Sequence, residues 1–400
     1  MPVAQAINDP SKASGNRVVI VCSNVGNNCM GRALLLGALL ARRGDLEVNV
    51  VGVNLGSDVW PPSAGFGVPI ASRRLSNALQ YPAAARWLRS QLLGARVIVS
   101  KPMFTSLGLT RLAGVADDHL LLDIDDWEVG LFRTPGRLKN VWDWVRPGKL
   151  NSFWSTHLLD RSVARCPHRI VSNRWLEARF GGTLLPHVRD TTQLRPDAEA
   201  RNATRTRLRM GNRFWVGYVG TIRKHKGVND LLEAVLELGE GFGLYLAGVD
   251  ESHAYAADLV ARARAELGPE RLRLVNEFPF DQLGSWLSAA DVLCMPSRDD
   301  EAAIGQIPAK LFDAMAMGLP ILATSISDMP EILGDGAGII VPPAAPGAIA
   351  DAIRSLAGDA QRQQRFGARA RQKAVDRYSY VAAADLLWEV LSQVPVALPR

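Results

Sequence analysis

The stretch FWVGYVGTIRKHKG, residues 214–227, carries the pattern that decides the fold. An apolar run ends at Gly220, basic residues follow it, and a helical pattern begins near Gly227. A strand, a tight turn and a helix in this order indicate a parallel α/β layer. Because ligands of such sheets bind at the carboxyl ends of the strands, the same turn is a candidate functional site.

Similar apolar runs recur along both halves of the 400-residue chain, and longer segments with helical spacing separate them. Runs of this length are typical of buried strands in parallel sheets. We therefore expect two complete doubly wound domains, each with its own core. The predicted strands are residues 17–23, 46–53, 97–100, 119–125, 169–173 and 183–187 in the first half, and 214–220, 242–248, 272–278, 292–297, 320–325 and 338–343 in the second.

The polar stretch at 195–213 indicates the connection between the two domains, because it holds few large apolar residues. We predict a flexible N-terminus at 1–16, an N-terminal domain at 17–200 and a C-terminal domain at 201–375. A final helix within 376–400 is expected to pack back on the N-terminal domain.

Composition narrows the class of protein. An apolar fraction of 48% with 22% charged residues is typical of a globular chain. Lys and Arg exceed Asp and Glu by 10 in residues 1–205 and fall short by 4 in 206–400. A basic first half indicates contact with an anionic membrane surface, a nucleic acid or an acidic acceptor, or simply a solvated surface.

The chain shows no pattern of a secreted or membrane-spanning protein. Its four cysteines are scattered, which predicts neither a disulfide framework nor a zinc site. The first residues lack the apolar stretch of a signal peptide, and no apolar segment is long enough to cross a bilayer. A soluble, cytoplasmic protein is expected.

Three cations, Arg223, Lys224 and Lys226, follow the strand that ends at Gly220. Cations beside a helix N-terminus suit a diphosphate, because they stabilise the charge of a leaving nucleotide without metal or protonation. A basic, solvated turn is the alternative interpretation.

A second candidate site lies within 298–324. Asp299, Asp300 and Glu301 lead to a helix with Pro308 predicted at its first position. The preceding Ile307 offers no capping oxygen, so a ligand phosphate is a candidate partner for the free backbone donors.

On the same helix, Lys310 and Asp313 are three residues apart and share one face. The lysine suits an anion, and the carboxylate suits ribose hydroxyls. An i,i+3 salt bridge between the two residues is the alternative.

In the first half, Gly26 and Gly31 follow a strand and open a helix, nearly matching a phosphate loop. Arg32 and Ala33 stand where that motif needs lysine and a hydroxyl residue, so a P-loop kinase is excluded. A tight turn for close helix packing, a backbone wall of a substrate cleft, or both, are expected.

Four carboxylates cluster at the end of another strand, at Asp123, Asp125, Asp126 and Glu128. They are predicted to orient acceptor hydroxyls or an amine, or to assist proton removal, with an exposed acidic turn as the alternative. Without a nearby histidine we predict no metal site.

Residues 133–154 follow the acidic cluster, and in them Trp142, Trp144 and Trp154 alternate with cations. This composition suits an interface, a membrane surface or an aromatic acceptor. At least one of the tryptophans is expected to lie in the core.

These motifs resemble those of retaining glycosyltransferase family 4, also called glycosyltransferase group 1, whose members have the GT-B fold of two facing Rossmann-like domains. The turn from Gly220 to Gly227 is similar to the family's donor-diphosphate motif, with Thr221 where many members have arginine. The segment Ala314 to Pro320 matches the family's A-M-A-x-G-x-P pattern. Asp313 replaces the ribose-binding glutamate, and Gly305 stands where the sugar-contacting glutamate is expected.

The resemblance implies transfer of a sugar, with retention of configuration, from a UDP- or GDP-sugar to a hydroxyl or amine. The acceptor is then a small natural product, a lipid or a glycan. It also implies an acceptor-binding N-terminal domain, a donor-binding C-terminal domain and no cofactor or essential divalent metal. No nucleic-acid partner is expected, and the basic first half predicts peripheral contact with the inner face of the membrane. The alternatives are a GT-B epimerase or phosphorylase, and a non-catalytic nucleotide-sugar-binding scaffold.

The predicted site residues fall into three groups by role. They are Arg223, Lys226 and Glu301 for catalysis; Gly220, Thr221, Gly227, Asp300, Gly305, Gln306, Ile307, Lys310 and Asp313 for the donor; and Gly26, Asn27, Asp123, Asp125, Asp126 and His187 for the acceptor.

Overall fold

The computed structural model describes residues 16–56, 58–133, 150–276 and 278–397. The predicted N-terminal segment up to residue 15 and the tryptophans Trp142 and Trp144 lie outside the described residues. Within the described residues the chain forms two parallel sheets, one in each half, with helices packed on both faces. The predicted fold class, two facing Rossmann-like domains, is confirmed.

The N-terminal domain is built on a seven-stranded sheet with the order β3-β2-β1-β4-β5-β6-β7. All of its neighbouring strands pair in parallel. The order reverses between β1 and β4, which marks the crevice where ligands of such sheets bind. The strands are β1 Arg17–Cys22, β2 Glu47–Asn54, β3 Ile70–Arg74, β4 Arg96–Ser100, β5 Leu120–Ile124, β6 His168–Val171 and β7 Thr183–Leu184.

The C-terminal domain is built on a six-stranded parallel sheet with the order β10-β9-β8-β11-β12-β13. Its reversal lies between β8 and β11, so the turn after Gly220 lies at the expected switch point. The strands are β8 Phe214–Val219, β9 Phe242–Val249, β10 Leu272–Asn276, β11 Val292–Met295, β12 Ile321–Thr324 and β13 Ile339–Val341.

Helices cover both sheets. In the N-terminal half they are α1 Met30–Ala41, α2 Tyr81–Leu92, α3 Leu109–Leu112, α4 Glu128–Arg133, α5 Phe153–Ser162 and α6 Arg174–Phe180. In the C-terminal half they are α7 Ala198–Arg207, α8 Val228–Leu238, α9 Ala254–Arg271, α10 Leu283–Ser288, α11 Glu301–Ile304, α12 Ala309–Ala316, α13 Met329–Leu333, α14 Pro346–Ala357, α15 Ala360–Arg377 and α16 Tyr380–Ser392. No helix among the described residues is both long and apolar enough to span a bilayer.

Strand β3 has no counterpart among the predicted strands. Its residues IASRR form an edge strand, and Ser72, Arg73 and Arg74 are exposed. An edge strand needs few apolar residues, so the apolar-run criterion misses it. The predicted strand at 183–187 is also shorter in the structure, where only Thr183–Leu184 pairs with β6.

Two segments cross between the domains, one before α7 and one between α15 and α16. After the second crossing, α16 packs against α1 of the N-terminal domain. Its Leu387 and Leu391 are fully buried in the same apolar cluster as Leu36 and Leu39. Burial of leucine side chains contributes about 1.5–3 kcal/mol each, so this return attaches the chain end firmly to the N-terminal core.

Candidate functional site

The loops after β5 and β6 of the N-terminal sheet meet the loop after β11 of the C-terminal sheet where the two domains face each other. Trp127, which follows β5, donates its backbone N–H to the carbonyl of Gly305 at 3.3 Å. The amide of Asn173 donates to the same carbonyl at 3.3 Å. Helices α4 and α11 pack against each other beside these bonds. The strand ends that carry the predicted residues of both domains therefore face one cleft.

Gly220 and Lys310 lie against each other at the C-terminal side of the cleft. Gly220 has a left-handed backbone with φ of 120°, and a Cβ at this position would collide with the Lys310 ammonium. Only glycine combines this backbone with such a close approach. The Lys310 Nζ also lies 5.0 Å from the centre of the Tyr218 ring, a cation–π distance.

Lys226 joins this group, because its ammonium donates to the Gln306 side-chain oxygen at 3.2 Å. Burial, followed by the positive charge of Lys226, lowers the pKa of Lys310 to about 7. Burial also lowers the pKa of Lys226, against the opposing effect of Asp126 and Asp300. Two half-buried lysines that repel each other form a site that an anion stabilises.

The remaining residues of the turn lie at the rim of this group. The Arg223 guanidinium contacts the His253 ring at 2.8 Å, so the structure does not bring it beside Lys226 and Lys310. Thr221 is exposed, and its carbonyl accepts a bond of 2.9 Å from the Tyr218 hydroxyl. Gly227 precedes α8 with a left-handed φ of 66°, and its carbonyl accepts from the Asp230 N–H at 2.9 Å.

Helix α12 begins one residue later than predicted. It starts at Ala309, so Pro308 is its N-cap, with no side-chain capping bond. Ile307 is 4% exposed and belongs to the core of the C-terminal domain, so its side chain has no contact with a donor. The prediction of an N-terminus without a side-chain cap still holds for α12, whose first turn carries Lys310.

Gly305 lies where the family resemblance places a glutamate. A Cβ on Gly305 would lie 2.5 Å from the Trp127 Cβ, so no side chain fits between them. The Trp127 ring packs against Trp175 at a tilt of 46°, with 5.0 Å between ring centres, and the Arg179 guanidinium lies 4.7 Å from the centre of the Trp127 ring. The N-terminal domain thus fills the position of the missing acid with an aromatic pair.

Asp300 and Glu301 stand at the start of α11, on the other side of Gly305. Asp300 is half-buried, and Glu301 is exposed. The Glu301 carbonyl lies so close to Gly130 of α4 that a Cβ there would come within 2.8 Å of it. The backbone of Glu301 therefore lies at the contact between the two domains.

The structure pairs Asp313 with Arg189. Both carboxylate oxygens bind the guanidinium of Arg189, and Asp313 is only 4% exposed. The contact of this carboxylate with ribose hydroxyls stays a prediction. The alternative, an i,i+3 pair with Lys310, is wrong, because Arg189 takes the place of that partner.

The acidic cluster surrounds a lysine that the sequence analysis missed. The Lys101 ammonium lies 3.0 Å from Asp125, 2.6 Å from Asp126 and 2.6 Å from Glu128. Oxygens of the three acids lie within 4.8 Å of one another, a spacing that suits a metal ion, but the ammonium already contacts all three. Burial raises the pKa of Asp125 to about 7 although Lys101 opposes the shift. Of the three acids, only Asp126 is half-buried rather than buried.

Asp123, another predicted acceptor residue, is completely buried. Its carboxylate pairs with Arg32 at 3.1 Å. Arg32 also donates to the carbonyls of Pro186 and Leu185 at 2.9 and 2.7 Å. Arg32, in α1 directly after the glycine-rich loop, therefore links that helix to β5 and to the segment after β7.

The tip of that loop stays at the cleft side of β1. Gly26 donates its N–H to the Asn24 side chain at 3.0 Å, and Asn27 is exposed while its side chain accepts from the Cys29 N–H at 3.0 Å. Asn27 is therefore an accessible member of the predicted acceptor set, whereas Gly26 shapes the turn.

His187 lies beneath the domain junction rather than in the cleft. It is 8% exposed, and its ring centre lies 6.2 Å from that of Phe312 in α12. Burial, followed by the charges of Arg32 and Arg189, lowers its pKa well below the usual value. A neutral imidazole therefore packs at the junction, and its contact with an acceptor stays a prediction.

Comparison with known proteins agrees with this architecture. Residues 213–359 match the family model described as glycosyl transferases group 1. The chain is 30% identical over 206 residues to an alpha-D-kanosaminyltransferase of Streptomyces kanamyceticus, a match covering 50% of each protein. It is 28% identical over 287 residues to a D-inositol 3-phosphate glycosyltransferase of Nocardia farcinica, covering 67% of this chain and 62% of that protein. The matched regions thus span between half and two thirds of these relatives.

Solved structures agree over nearly the whole chain. Sucrose-phosphate synthase of Thermosynechococcus elongatus superposes with a TM-score of 0.75 at 16% identity, covering 95% of this chain and 99% of that one. Anabaena HepE in complex with UDP and glucose gives a TM-score of 0.73 at 15% identity, covering 94% and 100%. At these identities the likeness concerns the fold. The protein has the GT-B fold, and its residues 213–359 are similar to the group 1 glycosyltransferases.

Proposed function

We propose that this protein transfers a glycosyl group from a nucleoside diphosphate sugar to an acceptor hydroxyl or amine, with retention of configuration. The observation that carries the proposal is the pair Lys226 and Lys310 beside Gly220, at the switch point of the C-terminal sheet. In the described residues neither ammonium forms an ion pair with a carboxylate. A diphosphate is the ligand whose charge and size match two neighbouring ammonium groups.

The chemistry assigned to these residues is stabilisation of the leaving group. When the bond between the anomeric carbon and the diphosphate oxygen breaks, negative charge accumulates on the diphosphate. Lys226 and Lys310 neutralise that charge from fixed positions, together with the backbone N–H groups at the start of α12. Arg223 lies at the rim and is proposed to contact the nucleotide side of the donor.

The acceptor is proposed to enter from the N-terminal side of the cleft. Asp126 is the half-exposed member of the acidic cluster there, and its charge affects the pKa of Lys226. Asp126 and Glu301 are therefore proposed to orient the acceptor nucleophile and the donor sugar. The reaction is proposed to need no divalent metal, because lysines serve the phosphates and the Lys101 ammonium occupies the acidic cluster.

The relatives support a sugar donor without identifying it. The Anabaena HepE structures are complexes with UDP and glucose and with UDP-glucose, and one relative is a GDP-mannose-dependent mannosyltransferase. UDP- and GDP-sugars are therefore the first donors to test. The acceptor class, a small natural product, a lipid or a glycan, and a peripheral position at the inner face of the membrane stay proposals.

The experiment is a thermal-shift screen against UDP- and GDP-sugars, followed by product analysis with and without acceptors. A ligand that binds the folded state raises the free energy of unfolding, by about 2.7 kcal/mol when the ligand concentration is 100 times Kd. The melting temperature rises with it. We expect one donor to stabilise the protein and to yield the free nucleoside diphosphate and an acceptor glycoside, with EDTA leaving the rate unchanged.

Three outcomes would contradict the proposal. Conversion of the donor alone to another nucleotide sugar would favour an epimerase, and release of a sugar phosphate with inorganic phosphate would favour a phosphorylase. Tight donor binding with no turnover across all acceptors would favour a non-catalytic scaffold. Loss of activity in EDTA with recovery in manganese would refute metal independence alone.

A further inference from the structure

The two segments that cross between the domains are paired with each other at Arg189. The Arg189 N–H donates to the Tyr378 carbonyl at 2.8 Å, and the Tyr380 N–H donates to the Arg189 carbonyl at 2.9 Å. Arg189 and Ser379 thus form an isolated parallel bridge. A rotation of one domain relative to the other therefore either breaks these backbone hydrogen bonds or turns about the residues that form them.

Adjacent side chains at this crossing bind opposite domains. Asp190 pairs with Arg42 at the end of α1, in the N-terminal domain. Arg189 pairs with Asp313 of α12, in the C-terminal domain. The two ion pairs differ in exposure, because the side chains of Arg189 and Asp313 are 11% and 5% exposed and that of Arg42 is 39% exposed. The buried pair, Arg189 and Asp313, involves the helix α12 that carries Lys310.

Arg189 holds the first turn of α12 on two sides of Lys310. Its guanidinium donates to the Ala309 carbonyl at 3.0 Å and to both oxygens of Asp313. Residues 309 and 313 are one helical turn apart, and Lys310 lies between them. A planar guanidinium can make these bonds together, whereas a lysine ammonium lacks the fork geometry.

We propose that Arg189 is a positioning residue for donor binding. By gripping Ala309 and Asp313, it holds the Lys310 ammonium beside Gly220, where the diphosphate is proposed to bind. Arg189 thereby connects the domain crossing to the proposed phosphate site. The role of the Asp313 carboxylate is to bind the Arg189 guanidinium. The inference rests on the proposed function, because it assumes that Lys310 meets a diphosphate.

Isothermal titration of the full chain with UDP and with GDP tests the proposal. We expect Arg189→Met to raise the Kd of the nucleotide that binds by about tenfold, equivalent to 1.4 kcal/mol. The control is Asp190→Asn, which removes the pairing with Arg42 on the neighbouring residue and should leave that Kd unchanged. In a Lys310→Met background, adding Arg189→Met should change the Kd less than twofold, because Arg189 acts through Lys310.

The outcomes separate this inference from the proposed function. If the unaltered protein binds neither UDP nor GDP, the proposed function fails and this inference fails with it. If it binds one of them and Arg189→Met binds equally well, or if the effects of Arg189→Met and Lys310→Met add, the inference alone is refuted. A purely structural role would lower the melting temperature and leave the Kd of the folded protein unchanged. Should Arg189→Met not fold, Arg189→Lys keeps the charge without the fork, and the same criteria apply.

Discussion

The glycine-rich turns after β1 and after β8 occupy corresponding places in the two sheets, yet the cations that follow them have partners of different charge. In the first turn Arg32 is buried and paired with the buried Asp123. In the second turn Lys226 is half-buried and bonded to the neutral Gln306. A cation whose charge is already neutralised inside the domain stabilises the sheet. Lys226 donates to a neutral amide, while Asp126 and Asp300 act on it only through their charge, so it keeps its capacity to bind an anion.

The same contrast separates Lys101, which follows β4, from Lys310, which lies in the first turn of α12. Lys101 at the end of β4 is surrounded by three carboxylates. Lys310 has another lysine as its neighbour, and its pKa falls to about 7. The presence of a basic residue in a loop therefore says little about phosphate binding. The charge of its surroundings separates a structural cation from a ligand-binding one.

The largest expected effect is a loss of stability when Arg32, whose charge is neutralised by Asp123, is replaced. Arg32→Met leaves the Asp123 carboxylate buried without its partner, so we expect the free energy of unfolding to fall by about 3–5 kcal/mol. Urea denaturation measures this loss. Arg74→Met, on the exposed edge strand, is the matched control and should change stability by no more than about 0.5 kcal/mol. Equal stability of Arg32→Met and the original protein would break the comparison.

The complementary prediction concerns the cation of the second turn. Lys226→Met removes a fixed charge from the leaving diphosphate, so we expect kcat to fall by about 10²–10³-fold while stability is retained. Steady-state kinetics with the donor found by screening measures the effect. Lys224→Met, two residues away and exposed, is the control and should keep nearly full activity. Comparable losses in both variants would show that the turn acts only as a diffuse basic patch.

A third prediction tests the contact that closes the cleft. Gly305→Ala places a Cβ against Trp127, so overpacking should cost about 1–3 kcal/mol or separate the two loops. Thermal unfolding and small-angle scattering report the two results. Gly241→Ala is the control, because nothing lies within 4 Å of a Cβ there. An unchanged melting temperature and scattering profile in Gly305→Ala would argue against the tight approach.

The smallest effect is a pH dependence. With its pKa lowered to about 7, Lys310 is protonated below pH 7, and a bound diphosphate raises that pKa, so binding takes up a proton. Affinity should therefore be greatest below pH 7 and fall as the pH rises, by at most about tenfold per unit. Titrations from pH 6 to 8 measure this fall. Lys310→Arg stays charged throughout and should lose that dependence; an identical profile would contradict the assignment.

The sequence predicted the two-domain fold because buried parallel strands are continuous apolar runs, and such runs are visible without a structure. All six strands of the C-terminal sheet were identified in this way. The edge strand β3 was not, because its residues are mostly polar and exposed. Strand-end glycines and cations likewise identified Gly220, Lys226 and Lys310 from local order along the chain.

Roles that depend on distant partners could not be predicted. Asp313 pairs with Arg189 and Asp123 with Arg32, partners that are 124 and 91 residues away in the chain. Lys101 follows an ordinary strand and carries no local signal of the three acids around it. A carboxylate in a motif can bind a ligand or a buried arginine, and the spacing of the motif is the same in both cases.

The sequence by itself therefore determined most of the elements, the two sheets and the strand ends where ligands are expected to bind, because these follow from local periodicity. The tertiary structure decided which charges are available there. It paired Asp123, Asp125 and Asp313 with cations and placed Trp127 against Gly305, while it brought Lys226 and Lys310 together. Electrostatic roles depend on the distance and burial of all neighbouring groups, and only the folded chain sets both.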